Sequence, residues 1–68
     1  MILHPVISEN VRAVGYDPRG RILRVAFLSG GTYDYYGVAS SLYEQMLLPN
    51  PWRRVGRLVR SHAYLRVA

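Results

Sequence analysis

The sequence predicts a single α+β domain over residues 1–68, a three-stranded antiparallel meander packed against two short C-terminal helices. Three runs rich in β-branched and aromatic residues predict the strands, at residues 11–16, 21–28 and 32–36. Turn signals separate these runs, and helix-start signals follow at Ser41 and Asn50. A chain of 68 residues, half of them apolar, can bury a core for one domain and has no room for a second.

The first turn signal is Asp-Pro-Arg-Gly at residues 17–20, which places favoured residues at the first, second and fourth positions of a type I turn. If Tyr16 pairs with Arg21 across this turn, Val14 lies opposite Leu23. Because side chains alternate along a strand, the middle strand has two distinct faces. One face carries Leu23, Val25 and Phe27. The other carries Ile22, Arg24, Ala26 and Leu28.

The second hairpin has two alternative registers around Gly30-Gly31. A two-residue loop would place Asp34 opposite Phe27, whereas a three-residue loop with a bulge would place Tyr35 there. We favour the bulge, because it pairs two aromatic residues and leaves Asp34 near Arg24. The sequence leaves this register open.

The helices are predicted from their start signals. Ser41 and Glu44 have the spacing of a capping box, with Ser41 as the cap. Asn50 is the predicted N-cap of a second helix, with Pro51 at its first position and its end near Ser61. Its predicted core-facing stripe consists of Trp52, Val55, Leu58 and Val59. The tail, residues 62–68, is predicted to form a short extended segment that pairs with a sheet edge.

The net charge of +5 is confined to the C-terminal part of the chain. All nine basic residues are arginine, and in residues 1–50 four arginines balance four acidic residues. Residues 51–68 carry five arginines and no acid. At 100° per residue, three of them share one side of the second helix, opposite the apolar stripe, and a fourth flanks them. This arginine face consists of Arg53, Arg54, Arg57 and Arg60.

Several classes of site are not indicated by the sequence. There is no cysteine, which removes disulfides and thiolate metal sites and fits a reducing, cytoplasmic compartment. His4 and His62 lack the spacing of metal ligands, and no carboxylate pair has a spacing suited to acid–base chemistry. No apolar run has the ~20 residues that a membrane-spanning helix needs. We therefore expect no enzyme activity, no cofactor, no metal and no membrane association.

The order and spacing of the residues resemble a KTSC domain, a small module named for its occurrence at the C-terminus of some lysyl-tRNA synthetases and found in free-standing bacterial and phage proteins. The matching positions are Ser8, Val11, Val14, Gly15, Tyr16, Asp17, Leu23, Val25, Phe27, Gly30, Tyr33, Tyr35, Val38, Leu42 and Tyr43. The resemblance covers roughly residues 6–47. It implies a meander packed on one or two helices, with Tyr33 and Tyr35 on the core face. The sequence departs from the family pattern at Ala39, where family members usually have proline, and at residues 49–52.

The arginine face is the feature that the fold itself does not require. Four clustered arginines could neutralise about three or four phosphates without reading base sequence. We expect a non-catalytic module that binds nucleic acid. RNA is expected rather than DNA, because the family that the sequence resembles is associated with tRNA synthetases. Additional contacts are expected from Tyr36, Tyr64 and Arg66. The alternative is a protein-interaction module, such as a phage protein that docks on an acidic surface of host transcription or translation machinery.

The second sheet face, with Ile22, Ala26 and Leu28, also needs a cover. Residues 5–7 could fold over it, or two copies of the chain could meet there as a homodimer.

Overall fold

The computed structural model describes residues 1–68 as a five-stranded antiparallel sheet with two helices. The strands are β1 (His4–Pro5), β2 (Val11–Asp17), β3 (Ile22–Phe27), β4 (Thr32–Tyr35) and β5 (Tyr64–Arg66). The helices are α1 (Ser40–Met46) and α2 (Pro51–Arg60). The strand order in the sheet is β1-β2-β3-β4-β5, and both helices lie between β4 and β5 along the chain. Neither helix has the length and apolar character that crossing a membrane requires.

The predicted α+β class and its two helices are confirmed, but the three-stranded sheet is wrong. The predicted strands correspond to β2, β3 and β4, and the sheet gains one strand at each edge. The extended tail is confirmed as β5, which pairs with β4, so the helices are not the last elements of the chain. Strand β1 has only two residues, one of them Pro5, and such a segment has no periodicity that would reveal it.

The first hairpin is shifted by two residues from the predicted register. Tyr16 pairs with Leu23 instead of Arg21, and Val14 pairs with Val25. Arg21 has a left-handed backbone, with φ of 55°, and belongs to the turn. A shift of two residues preserves the faces, so Val14 still lies on the core side.

A β-bulge at Arg12 increases the number of core residues that β2 supplies. Val11 pairs with Phe27 and Ala13 pairs with Ala26, which leaves Arg12 as the extra residue. Because of this insertion, Val11 and Val14 share the core face although they are three residues apart. Both are almost completely buried.

Both predicted registers of the second hairpin are wrong, although the predicted faces are right. Leu23 pairs with Tyr35, and the Phe27 N–H donates to Gly31 O at 3.0 Å. The loop therefore precedes Gly31 and consists of residues 28–30. The expected proximity of Asp34 and Arg24 is confirmed, because the two residues pair directly across the strands.

The helix starts differ in detail from the prediction. Helix α1 is capped by Ala39, whose carbonyl accepts from the Leu42 and Tyr43 N–H groups, so Ser41 is not the cap. Asn50 is confirmed as the N-cap residue of α2 and Pro51 as its first residue. Asn50 has a left-handed backbone, its side chain makes no capping bond, and its N–H donates to Ile7 O at 2.7 Å.

The core lies between the helices and one sheet face. Its buried residues are Val11, Val14, Leu23, Val25, Tyr35, Val38, Met46 and Val59. Val59 confirms part of the predicted α2 stripe, but Leu58 is 58% exposed and does not belong to it. The buried side of α2 is rotated towards Gly56, whose missing side chain leaves space for the Trp52 ring.

The other sheet face is covered within the chain, but not by residues 5–7. A β-carbon at Gly15 would lie 2.6 Å from Ile2 O and 2.9 Å from Leu3 Cδ2, so residues 1–3 cross the sheet there. Ala26 is fully buried, whereas Leu28 is 53% exposed. Ile7 is also exposed, so it does not provide the predicted cover.

Candidate functional site

A concave aromatic surface lies between the C-terminal end of α2 and β5. This aromatic groove encloses about 440 Å³ and is lined by Phe27, Tyr33, Tyr35, Arg60 and Tyr64. Its residues come from β3, β4, α2 and β5. The groove therefore exists only because β5 returns to the sheet after the helices.

Strand pairing brings the rings of the groove together. Tyr33 and Tyr35 are alternate residues of β4 and face the same side, and Tyr35 pairs with Tyr64 of β5. The Tyr64 ring centroid lies 6.0 Å from that of Tyr33 and 5.9 Å from that of Tyr35. Phe27 meets Tyr33 edge to face at 5.8 Å. Neighbouring rings at these distances form one continuous aromatic surface.

Trp52 supports the groove from the helix side. Its ring packs edge to face on Phe27, with 5.0 Å between centroids, and lies 6.4 Å from Tyr35. A β-carbon at Gly56 would come within 2.9 Å of the Trp52 ring, so this close packing depends on glycine one turn later. Gly56 thus allows the largest side chain of α2 to pack closely against the helix.

Two arginines lie at the groove, one against the ring of Trp52 and the other against that of Tyr33. The Arg60 guanidinium is 5.7 Å from the Trp52 ring centroid, and that of Arg66 is 5.9 Å from the Tyr33 centroid. Arg60 Nε donates to Gly56 O at 3.3 Å, and Arg66 Nε donates to Ala68 O at 2.9 Å. Neither arginine pairs with an aspartate or glutamate side chain, since the single ion pair of the structure joins Arg24 and Asp34. Both retain Nη donors and positive charge for a ligand.

Three tyrosine hydroxyl groups of the site make no hydrogen bond within the chain. These belong to Tyr33, Tyr35 and Tyr64, whereas the Tyr16 hydroxyl donates to Val38 O. Burial raises the pKa of Tyr35, and the neighbouring Tyr33 and Tyr64 raise it further, while Arg60 acts in the opposite direction. The Tyr35 hydroxyl is therefore protonated near neutral pH and can donate a hydrogen bond to a ligand.

The structure divides the predicted arginine face into residues with different roles. Arg53 and Arg57 are exposed, and their side chains have no hydrogen bond or ion pair. Arg60 lines the aromatic groove. Arg54 instead joins the two helices, donating to Pro49 O at 2.9 Å and to Gln45 O at 2.7 Å. With further bonds to Gln45 Oε1 and Leu48 O, its guanidinium satisfies the carbonyl end of α1 and is not free for a ligand.

The additional predicted contacts are only partly brought together. Tyr64 and Arg66 lie at the groove, where Tyr64 is 62% exposed. Tyr36 lies on the other sheet face. The pKa of Arg24 is raised mainly by its hydrogen bond with Asp34 on that face, and Tyr36 adds to the rise. Sequence reasoning assigns Phe27, Tyr33 and Tyr35 to the core alone, because nothing in the alternation of β4 reveals an open cavity beside it.

The lining of the groove is aromatic and basic. Its lining contains rings, hydroxyl groups and a guanidinium, with no acidic residue, histidine or serine. Nowhere in the structure do His, Asp and Glu residues cluster in a way that could hold a metal ion. His62 lies outside the groove, with Nδ1 at 2.9 Å from Leu58 O at the end of α2. Such a lining suits a planar ligand that is neutral or carries negative charge.

Comparisons with known proteins identify a family model, a relative and a solved structure that are similar to this chain. The family model of the KTSC domain matches residues 7–48. A curated protein of Tsukamurella paurometabola is 40% identical over 45 residues, which cover 66% of this chain and 67% of that protein. The crystal structure of a KTSC domain protein from Yersinia pestis superposes with a TM-score of 0.89 at 25% identity, covering 98% of this chain and 97% of the other. Phe27, Tyr33 and Tyr35 lie within the matched range, whereas α2 and β5 lie beyond it.

Proposed function

The chain belongs to the KTSC domain family, and from this premise we propose that it is a cytoplasmic, non-catalytic module that binds single-stranded nucleic acid, RNA rather than DNA. The binding surface combines the free arginines of α2 with the aromatic groove. Arg54, which the sequence groups with them, has a structural role and is left out of the proposed surface.

The observation that carries this proposal is the position of Arg60. It belongs to the helix face with Arg53 and Arg57, and it also lines the aromatic groove. Residues three and four apart are neighbours on a helix, so the three guanidiniums can follow successive phosphates towards the groove. Arg66 continues the positive charge on the other side.

A single strand fits this arrangement better than a duplex. Bases of a duplex are stacked on each other and are not available to a concave aromatic surface, whereas unpaired bases can stack on tyrosine rings. The preference for RNA rests on the association of the family with lysyl-tRNA synthetases. Exposed tyrosine hydroxyl groups would also provide partners for the ribose 2′-hydroxyl.

A protein partner with an acidic surface is the second candidate. It is favoured by apolar side chains exposed near the arginines, namely Leu47, Leu48 and Leu58. Apolar and cationic groups side by side are typical of protein-interaction surfaces. Docking of a phage protein on host transcription or translation machinery would be one example.

Removal of charge from the helix face is expected to weaken the salt dependence of binding. The test titrates a labelled single-stranded RNA and a duplex DNA at 50 and 200 mM salt. If Arg53, Arg57 and Arg60 each neutralise one phosphate, their change to glutamine reduces the slope of log K against log salt by about 2. Over this fourfold range of salt, wild type then loses roughly 15- to 20-fold more affinity than the triple variant.

The matched control changes Arg12, Arg19 and Arg21 to glutamine, which removes the same net charge from β2 and its turn. We expect this control to retain the wild-type slope. Equal losses in both triple variants would contradict the assignment to α2. If neither RNA nor DNA binds at 50 mM salt, the nucleic-acid proposal fails and the acidic protein partner becomes the leading candidate.

The oligomeric state is expected to be monomeric. A homodimer through Ile22, Ala26 and Leu28 would need an open apolar face, but Ala26 is covered within the chain and Leu28 is the exposed member. Light scattering should give a mass near 7.8 kDa, unchanged by Leu28→Lys. Twice that mass in wild type, reduced by Leu28→Lys, would instead establish the dimer.

A further inference from the structure

We propose that the aromatic groove is a subsite for one unpaired nucleobase, which stacks on Tyr64 while its phosphate lies against Arg60 and Arg66. This inference rests on the proposed function and deepens it, because it separates recognition of a base from attraction of a polyanion. Arg53 and Arg57 supply charge alone, since neither lies against an aromatic ring in the structure.

The positive charge of the groove excludes cationic ligands, which clusters of aromatic rings commonly bind. Clustered rings attract cations such as quaternary ammonium groups. Here the guanidiniums of Arg60 and Arg66 already occupy the faces of Trp52 and Tyr33, and no acid lines the groove. A second cation would be repelled. A neutral planar group attached to an anion has complementary partners, which is the chemistry of a nucleotide.

The geometry of the rings determines how a base can enter. The ring planes of Tyr33 and Tyr35 are tilted by 56° and 39° to that of Tyr64, with centroids about 6 Å apart. A base sandwiched between two rings needs them parallel and roughly 7 Å apart, twice the axial spacing of successive nucleotides in one strand of a duplex. The base therefore cannot be sandwiched between two of these rings, and it stacks on the exposed face of the Tyr64 ring. A volume of about 440 Å³ lies at the small end of the range for small-ligand sites and suits one ring system.

Two tyrosine hydroxyl groups of the groove can contact the edge of the stacked nucleobase. The hydroxyl groups of Tyr33 and Tyr35 have no partner within the chain. A hydroxyl can both donate and accept, so it tolerates different base edges. The subsite should therefore accept any base and prefer purines, whose larger rings stack over more area.

The first test compares single-stranded oligoadenylate RNA with an abasic strand of the same length. We expect wild type to bind the RNA about 5- to 150-fold more tightly, the range for one stacked base. Tyr64→Ala should abolish this difference and leave both the affinity for the abasic strand and the salt slope unchanged. Tyr64→Phe should restore most of it. Tyr36→Ala is the matched control and should behave as wild type, because Tyr36 lies on the other sheet face.

The second test uses a free nucleotide and requires no contact with Arg53 or Arg57. In NMR titrations at millimolar concentration, adenosine monophosphate should shift the ring signals of Tyr33 and Tyr64, whereas ribose 5-phosphate should not. Equal binding of RNA and abasic strand, with the arginine-dependent salt slope intact, would overturn the base subsite and leave the proposed function standing. Absence of binding by either strand at low salt would end the proposed function. Identical losses in Tyr36→Ala and Tyr64→Ala would also overturn the subsite.

Discussion

Replacement of Trp52 by alanine is expected to lower the free energy of unfolding by about 3 kcal/mol, the lower end of the range for deleting a large aromatic side chain. Trp52 packs on Phe27 and Tyr35, fills the space left by Gly56 and supports Arg60. Its ring is half-buried, which places the loss at the lower end. Urea unfolding followed by far-ultraviolet circular dichroism measures the change without using tryptophan as the probe.

Leu58→Ala is the matched control on the same helix. The sequence assigns Trp52 and Leu58 to one stripe, whereas the structure exposes Leu58 and packs Trp52. We therefore expect Leu58→Ala to change the free energy of unfolding by less than about 0.5 kcal/mol. Comparable losses for the two variants would mean that α2 has the orientation predicted from its sequence and not that of the structure.

Arg24→Met is expected to lower the free energy of unfolding by about 3 kcal/mol, because it leaves a buried carboxylate without a partner. Arg24 Nε and Nη2 bind the two carboxylate oxygens of Asp34 at 2.7 and 2.9 Å. The Asp34 side chain is only 8% exposed and has no other hydrogen-bond partner in the structure. Urea unfolding followed by Trp52 fluorescence measures the loss.

Substitution of the acidic partner distinguishes the loss of the ion pair from the burial of an unpaired carboxylate. Asp34→Leu should cost less than Arg24→Met, since the Arg24 side chain is 33% exposed and can be hydrated when unpaired. The double variant should recover most of the stability lost in Arg24→Met. A larger loss for Asp34→Leu than for Arg24→Met would show that the arginine, not the carboxylate, is the costly buried group.

The central strands and their faces are predictable because each follows from short-range patterns. Alternation in β3 places Leu23 and Val25 in the core whichever register is chosen, since both observed shifts preserve the faces. Register is less predictable, because it depends on how many residues the turn uses. Arg21 joins the first turn with a left-handed backbone that its residue type does not favour.

The site is less predictable than the fold. Arg53 and Arg57 are exposed as helical periodicity predicts, but Arg54 is recruited by the carbonyl end of α1, and helical periodicity carries no information about a neighbouring helix. The groove depends on β5 meeting β4, a pairing between Tyr35 and Tyr64 across two helices. Such long-range pairing leaves no local signal, so three tyrosines that read as separate core or surface residues form one site.

The groove and its support combine residues from two parts of the chain. Phe27, Tyr33 and Tyr35 lie in the part of the chain that the family model matches, whereas Trp52, Arg60 and Tyr64 come from the part beyond it. The three residues of β5 are all exposed, so changes there have little effect on the core. Substitutions in β5 can therefore change the rim of the groove at little cost to the free energy of unfolding. The surface of the groove and the stability of the fold depend on largely different residues.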